Sequence, residues 1–163
     1  MHDIKALIAK SDTLAAVVRQ FKSAALCPLV QGFSLLPITD EFAAELSLGR
    51  PKSSLIPAKP LPELSDELHA LAIEISQSTP VAYASTFYFG GQGRQDALVW
   101  DGGGLQFSPA TNGYDGNWPD SSISQALRAI GVVPEAGMDA FDTAGLGRHR
   151  ETSRWAESTK PRD

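Results

Sequence analysis

The stretch Pro80–Phe107, PVAYASTFYFGGQGRQDALVWDGGGLQF, decides the fold that we predict for this chain. β-Branched and aromatic residues lie on both sides of two glycine clusters, at 90–93 and 102–104. Alternating apolar segments separated by glycine turns are typical of antiparallel hairpins. Pro80 suits the start of a strand, because proline cannot donate a hydrogen bond to a ladder. We therefore predict an α+β fold, with an antiparallel meander over residues 81–107 and helices packed on one face.

The segments that flank the meander have mostly helical patterns. Residues 3–26 predict a helix that Pro28 ends, residues 29–38 predict a strand or buried connector, and residues 41–48 predict a short helix. Ser65 precedes an apolar stripe at helical spacing, which indicates a capped helix. Ser122 and Gln125 have the spacing of a capping box, and Gly131 is the expected stop of that helix.

Length and composition favour one soluble α+β domain. The chain has 163 residues, of which 42% are hydrophobic and 20% charged, so it can bury an ordinary core. We assign residues 1–155 to the domain and expect residues 156–163 to form a flexible tail. The N-terminal residues lack a basic region followed by a long apolar core, and no apolar run is long enough to span a bilayer. These features predict a cytoplasmic protein without a membrane partner.

Charge is distributed unevenly along the chain. The formal net charge is −5, and residues 81–147 hold seven carboxylates, two arginines and no lysine. An acidic region repels nucleic-acid phosphates and attracts a basic partner, so we expect a basic protein partner and no nucleic acid. The alternative interpretation is that acidic loops only maintain solubility.

The sequence contains no recognisable catalytic or cofactor-binding motif. The cluster at 90–93 lacks the Gly-Lys-Ser/Thr ending of a phosphate-binding loop, and its glycines fit a hairpin turn better. Asp101, Asp115 and Asp120 do not have calcium-loop spacing, and the three histidines lie on separate segments. The single cysteine, Cys27, precedes a proline in an apolar context and fits an inert buried thiol. We therefore predict no enzyme activity, no cofactor and no metal.

Surface recognition remains as the predicted mode of action. Aromatic and acidic groups gather in one loop after the meander, a composition suited to gripping a basic protein. The alternative is that Trp118 folds back onto the core. The predicted partner-binding residues are Asp101, Tyr114, Asp115, Asn117, Trp118 and Asp120.

Three segments together carry a resemblance to a known family. FGGQGRQDALVWDG at 89–102, ISQALRAIGV at 123–132 and FDTAGLGRHR at 141–150 are together similar to small cytosolic bacterial proteins encoded beside secreted polymorphic toxins, which serve as their immunity proteins. The resemblance extends from Tyr83 to Trp155, and a weaker similarity is present at residues 30–40. It implies a protein that binds and neutralises a cognate toxin domain by occluding its active site or another essential surface. It assigns no toxin contact to any residue.

Two other classes of function stay open. One is a small-molecule-binding or enzymatic domain with a cleft beside the Gly90–Gly93 turn, which several converging ionisable residues would favour. The other is a structural or adaptor protein that self-associates through an exposed strand edge, for which a large symmetric interface would be the signature. For the leading hypothesis we expect a monomer or a weak homodimer.

Overall fold

The computed structural model describes residues 2–49, 61, 63–89, 92–107, 112–113 and 121–160. Its strands are β1 (His2–Lys10), β2 (Cys27–Pro28), β3 (Phe33–Pro37), β4 (Val81–Phe89), β5 (Gln92–Asp101), β6 (Gly104–Phe107) and β7 (Asn112–Gly113). Its helices are α1 (Ser11–Val18), α2 (Asp40–Gly49), α3 (Asp66–Ser76), α4 (Ser122–Ile130), α5 (Ala140–Ala144) and α6 (Thr152–Glu157), with a 3₁₀ turn at Leu146–Arg148.

The strands form one antiparallel sheet in the order β2-β3-β1-β4-β5-β6, and β7 pairs with β5 off this path. The predicted α+β class and the β4-β5-β6 meander are therefore confirmed. Phe89 pairs with Gln92, so β4 and β5 are joined by a two-residue connection. None of the described residues belongs to a helix long and apolar enough to cross a membrane.

The first strand is where the sequence-based prediction is wrong. Residues 3–26 were predicted as helical, but only Ser11–Val18 of this segment is a helix. Residues 2–10 form β1, which pairs with β3 on one side and β4 on the other. Ile4 and Ile8 enter one core cluster while Leu7 and Ala9 enter the other. A strand buried on both faces reads as a continuous apolar run, which periodicity cannot distinguish from a short helix.

Helices cover both faces of the sheet, and not one face as expected. The first core cluster joins the sheet to α4, α5 and α6, and includes Ile123, Phe141 and Trp155. The second cluster joins the opposite face to α1, α2 and α3. The two faces are both apolar because β1, β4 and β5 alternate between two sets of buried side chains.

A row of three alanines lets α4 approach the sheet. Ala6 pairs with Ala84, and Ala84 pairs with Ala97, so the three small side chains lie side by side across the central strands. All three are at most 2% exposed and belong to the cluster that contains Ala126 of α4. Small residues at these positions leave room for a helix backbone, whereas larger ones would hold it away.

The ends of α3 and α4 agree with the predicted caps to within one residue. Ser65 Oγ accepts a hydrogen bond from Leu68 N at 3.1 Å, as predicted for α3. The N-cap of α4 is Ser121, not Ser122, with Ser121 Oγ accepting from Ser124 N at 3.3 Å. Gly131 ends α4 with φ of 112°, a left-handed conformation that glycine adopts without a steric penalty.

The C-terminal segment packs against β1. Asp3 N donates to Arg150 O at 2.7 Å, and Asp3 forms a parallel bridge with Glu151. Trp155 is 1% exposed, and its Nε1 donates to His149 O at 3.1 Å. These contacts fix α6 along the edge of β1 that extends beyond the end of β3. The mobility expected of residues 156–163 stays a prediction.

Candidate functional site

Of the six predicted partner-binding residues, the structure describes Asp101. Tyr114, Asp115, Asn117, Trp118 and Asp120 lie outside the described residues. Asp101 is exposed at the end of β5, where its carbonyl oxygen accepts a hydrogen bond from Gln106 Nε2 at 3.2 Å. Asp101 lies at the opposite end of β5 from Arg94 and Asp96.

The sheet face that carries α3 changes from apolar to polar along β1, β4 and β5. Leu7, Tyr83 and Leu98 form a buried row across the three strands. Because side chains alternate, the next two rows on this face are set by the same register. They consist of Lys5, Ser85 and Asp96, and then Asp3, Phe87 and Arg94. We call these six residues the polar band.

An open cleft of about 350 Å³ lies at the β1 end of the polar band. Its walls come from β1, from the connection into α2 and from the start of α6. The lining residues are Asp3, Lys5, Ile38, Thr39, Asp40, Glu41, Glu151, Thr152 and Ser153.

The backbone of β1 in this cleft is already hydrogen-bonded. Lys5 N donates to Thr152 Oγ1 at 3.0 Å, and Thr152 Oγ1 donates to Asp3 O at 3.0 Å. Ile38 N donates to Lys5 O at 2.8 Å. An incoming strand would find no free ladder on this edge of β1, so the cleft presents side chains to a ligand and not backbone groups.

The cleft is strongly acidic. Among the described residues that line it, four are carboxylates (Asp3, Asp40, Glu41 and Glu151) and one is a cation (Lys5). Asp40 and Glu41 lie in the first turn of α2, where the helix dipole favours negative charge. Thr39 Oγ1 accepts from Phe42 N at 3.1 Å and so fixes the start of this helix. The local field therefore favours cationic ligands and repels phosphates.

A second group of ionisable residues lies at the β5 end of the polar band. Asp96 is 4% exposed, and its Oδ2 accepts a hydrogen bond from Arg94 Nε at 2.8 Å. Arg94 also reaches Glu63, with 3.7 Å between its guanidinium and Oε1 of Glu63. Asp96 Oδ1 is buried and receives no hydrogen bond.

The carboxyls of Asp96 and Glu63 are close enough to interact directly. Burial raises the pKa of Asp96 above its ordinary value, Arg94 opposes that rise, and the hydrogen-bonding contact with Glu63 adds to it. Asp96 is the buried member of this contact, whereas Glu63 is exposed. We call Glu63 and Asp96 the carboxyl pair.

Tyr83 lies on the same sheet face as Asp96, one row deeper in the core. Burial raises the pKa of Tyr83 to about 12, with smaller contributions in the same direction from Glu63, Asp96 and Asp3, while a hydrogen bond with Ser85 opposes the rise. The phenol is therefore neutral at physiological pH and acts as a hydrogen-bonding group, not as a base.

An exposed aromatic ring lies in the middle of the polar band. Phe87 is 54% exposed and pairs across the ladder with Arg94 on one side and Asp3 on the other. An accessible ring surrounded by charged side chains is a common anchor in protein interfaces. The band therefore combines negative charge with one apolar contact.

The buried histidine and cysteine of the described chain fit structural roles. His69 is 3% exposed and lies 5.8 Å from the Trp100 ring, and burial lowers its pKa below the ordinary value. Cys27 Sγ donates to Trp155 O at 3.2 Å, and burial raises the pKa of the thiol to about 11. Among the described residues, no group of three His, Cys, Asp or Glu side chains is placed to hold a metal ion.

Sequence reasoning missed both acidic groups because their members are far apart along the chain. The cleft joins residues near positions 3, 40 and 151, and the carboxyl pair joins positions 63 and 96. Only the acidic first turn of α2 gave a local signal. The wrong assignment of β1 concealed the rest, since strand register is what brings Asp3 and Lys5 to the cleft.

Comparisons of the chain with models of protein families, with curated proteins and with solved structures find no match.

Proposed function

We propose that this protein is a cytosolic bacterial immunity protein that binds a basic toxin domain and neutralises it by occlusion. The acidic cleft beside β1 is the observation that carries the proposal, since the part of the chain that the structure describes lines it with four carboxylates and one lysine. The biological role in this proposal is the one that the resemblance noted for residues 83–155 implies. Toxin recognition requires no cofactor and no bond-making step on this chain.

Recognition through the cleft uses side chains. Because Asp3 and Lys5 have their backbone groups engaged, a partner gains affinity from basic side chains that enter the cleft. Complementary charge raises the rate of encounter, and a buried anchor slows dissociation. Phe87 is an exposed apolar group within the polar band, paired with Asp3 and Arg94 across the ladder, and serves as that anchor.

The test is co-expression of this chain with the product of its adjacent gene. The complex should co-purify, and the chain should restore growth to cells that express the toxin. Reversing Asp40 and Glu41 to lysine should weaken both effects, because it changes the cleft from acidic to basic. A matched control reverses Asp12 and Glu135, two exposed carboxylates outside the cleft, and should leave rescue intact.

The predicted loop provides a competing location for the same interface. Reversing Asp115 and Asp120 to lysine should slow association if the loop contributes to steering. Rescue that survives the Asp40 and Glu41 reversal but fails with the loop reversal would move the interface away from the cleft. Growth rescue by neither the wild-type chain nor any variant would contradict the proposed function itself.

One observation favours a second candidate, a small-molecule-binding or enzymatic domain. Arg94, Asp96, Glu63 and Tyr83 lie close together at the β5 end of the polar band, and the pKa values of Arg94, Asp96 and Tyr83 are raised. Convergent ionisable groups with shifted pKa values are a feature of functional sites. Turnover of a small substrate by the purified chain, abolished by Asp96→Asn, would establish this candidate in place of the first.

A further inference from the structure

His69 lies in α3 as a buried imidazole without a hydrogen bond. The residue is 3% exposed, and neither Nδ1 nor Nε2 has a partner in the part of the chain that the structure describes. Its ring packs against Trp100 of β5, with 5.8 Å between the ring centroids, and Trp100 Nε1 is likewise buried and unpartnered. Buried polar atoms are nearly always hydrogen-bonded, so three unpartnered nitrogens on two neighbouring rings are unusual in a core.

The contact between His69 and Trp100 accommodates a neutral imidazole but not an imidazolium ion. A protonated ring carries a full charge and two N–H donors, and no described residue offers either donor an acceptor. Burying an uncompensated charge is far more unfavourable than burying a neutral polar group. Attraction between a cation and the Trp100 ring is weaker than this loss of hydration. Proton uptake therefore favours a conformation in which the imidazole reaches water.

The ionisable groups around α3 do not remove this penalty. Burial lowers the pKa of His69 below its ordinary value, and Asp66, one turn earlier on α3, opposes the change without reversing it. Asp66 is exposed, so it attracts an imidazolium ion towards water and away from Trp100. The elements packed against α3 are α2, β4, β5 and β6. Their ionisable residues, taken for the strands on the sheet face that carries α3, are Asp40, Glu41 and Glu45 on α2, Tyr83 on β4, and Arg94 and Asp96 on β5.

The two ends of α3 are attached to the sheet differently. At the C-terminal end, Ser76 O accepts a hydrogen bond from Gly102 N at 2.9 Å, and Ser76 Oγ accepts from Gly103 N at 3.0 Å. Within the described ranges, no backbone hydrogen bond joins the N-terminal half of α3 to a strand. That half is held by packing of side chains such as Leu68 and His69. The helix can therefore open from its N-terminal end while Ser76 stays attached to the β5–β6 turn.

We propose that α3 is a pH-sensitive element of the fold, in which proton uptake by His69 breaks the contact with Trp100 and opens the N-terminal half of the helix away from β5. The opposite face of the sheet keeps its own core cluster, formed with α4, α5 and α6, and stays folded. Glu63 immediately precedes α3, so opening also withdraws it from Arg94, from which it lies 3.7 Å away. The polar band thus changes with pH. This device does not depend on the proposed function.

The test is native-state hydrogen exchange of the full chain, followed by mass spectrometry at about pH 7.5 and about pH 5.5, with and without about 1 M urea. Protection factors of the α3 amides should fall by up to about tenfold over this pH range, because the open form binds a proton at the ordinary histidine pKa of about 6.5. At the lower pH these amides should be at least about tenfold less protected than those of α4. They should also respond little to urea, as a local opening exposes little surface.

Matched variants identify His69 as the trigger. His69→Leu and His69→Gln cannot take up the proton, so each should abolish the pH dependence of α3 protection. His149→Gln, at a partly exposed histidine on the opposite side of the sheet, should preserve it. Circular dichroism confirms that each variant is folded. Titration of the His69 imidazole by NMR in the wild-type chain keeps the test valid if both His69 variants unfold, and its pKa should lie below that of an ordinary histidine.

Each contrary outcome overturns the proposal. Equal protection and equal urea dependence of α3 and α4 would mean that α3 is released only by global unfolding. A pH response that persists in both His69→Leu and His69→Gln would remove His69 as the trigger. An NMR titration of His69 at or above the ordinary histidine pKa would show that the folded protein tolerates the charge.

Discussion

Trp155 is the residue on which we expect the attachment of α6, and hence one wall of the acidic cleft, to depend. It is 1% exposed within the core cluster shared with Ile4 and Ile8. Its Nε1 donates to His149 O at 3.1 Å, and Arg148 lies 5.6 Å from the ring centre. Truncation to alanine removes this packing and leaves the carbonyl of His149 without its donor.

The expected loss of unfolding free energy for Trp155→Ala is about 3–5 kcal/mol, the usual range for removing a buried tryptophan. With a urea dependence of about 2 kcal/mol per M, the midpoint should fall by roughly 1.5–2.5 M. Trp155→Phe keeps most of the ring but loses the hydrogen bond, so its loss should be about 1–2 kcal/mol.

Urea titrations followed by circular dichroism measure both variants of Trp155. Alkylation of Cys27 provides a local readout, because its Sγ donates to Trp155 O at 3.2 Å and should become accessible when α6 detaches. A loss below about 1 kcal/mol for Trp155→Ala, with no change in alkylation, would refute the reasoning, since a core tryptophan truncation of that size is outside the expected range.

Three further predictions test the interior. Ala84→Leu should lower the free energy of unfolding by about 1–3 kcal/mol in urea titrations, because Ala84 is the middle residue of the alanine row beneath α4. An unchanged unfolding free energy would contradict close packing between α4 and the sheet. The free energy of unfolding should decline as the pH falls below about 6.5, because burial lowers the pKa of His69 and the unfolded chain therefore binds the proton more readily. The unfolding free energy should change by at most about 1.4 kcal/mol per pH unit from this histidine, and His69→Leu should reduce that pH dependence. Native Cys27, with a thiol pKa raised to about 11, should react with iodoacetamide at pH 8 far more slowly than the urea-unfolded chain, and equal rates would refute its burial.

The sequence correctly predicted those elements whose formation depends on residues close together in the chain. The meander followed from glycine turns between alternating segments, and α3 and α4 followed from serine caps, apolar stripes and a terminal glycine. In each case the signal and the structure lie within about ten residues of one another. Such elements are predictable because hairpins and caps depend on short-range geometry.

The central strand and the acidic groups depend on long-range pairing, and the sequence did not reveal them. β1 was mistaken for helix because both of its faces are buried, so its residues lack the alternation of a half-exposed strand. Asp3 meets Asp40 and Glu151 only after β1 enters the sheet between β3 and β4. The contact between Glu63 and Asp96 likewise requires the segment before α3 to lie near β5.

The most direct test of the proposed function is the rate at which this protein associates with its toxin, measured by stopped-flow fluorescence over a range of salt concentrations. We expect a rate constant that falls steeply with salt, and that drops by about tenfold or more at low salt when Asp40 and Glu41 are both reversed to lysine. The control reversal of Asp12 and Glu135 should have a much smaller effect at the same change in net charge. A rate constant that is insensitive to salt and equal in both double variants would contradict recognition through the acidic cleft.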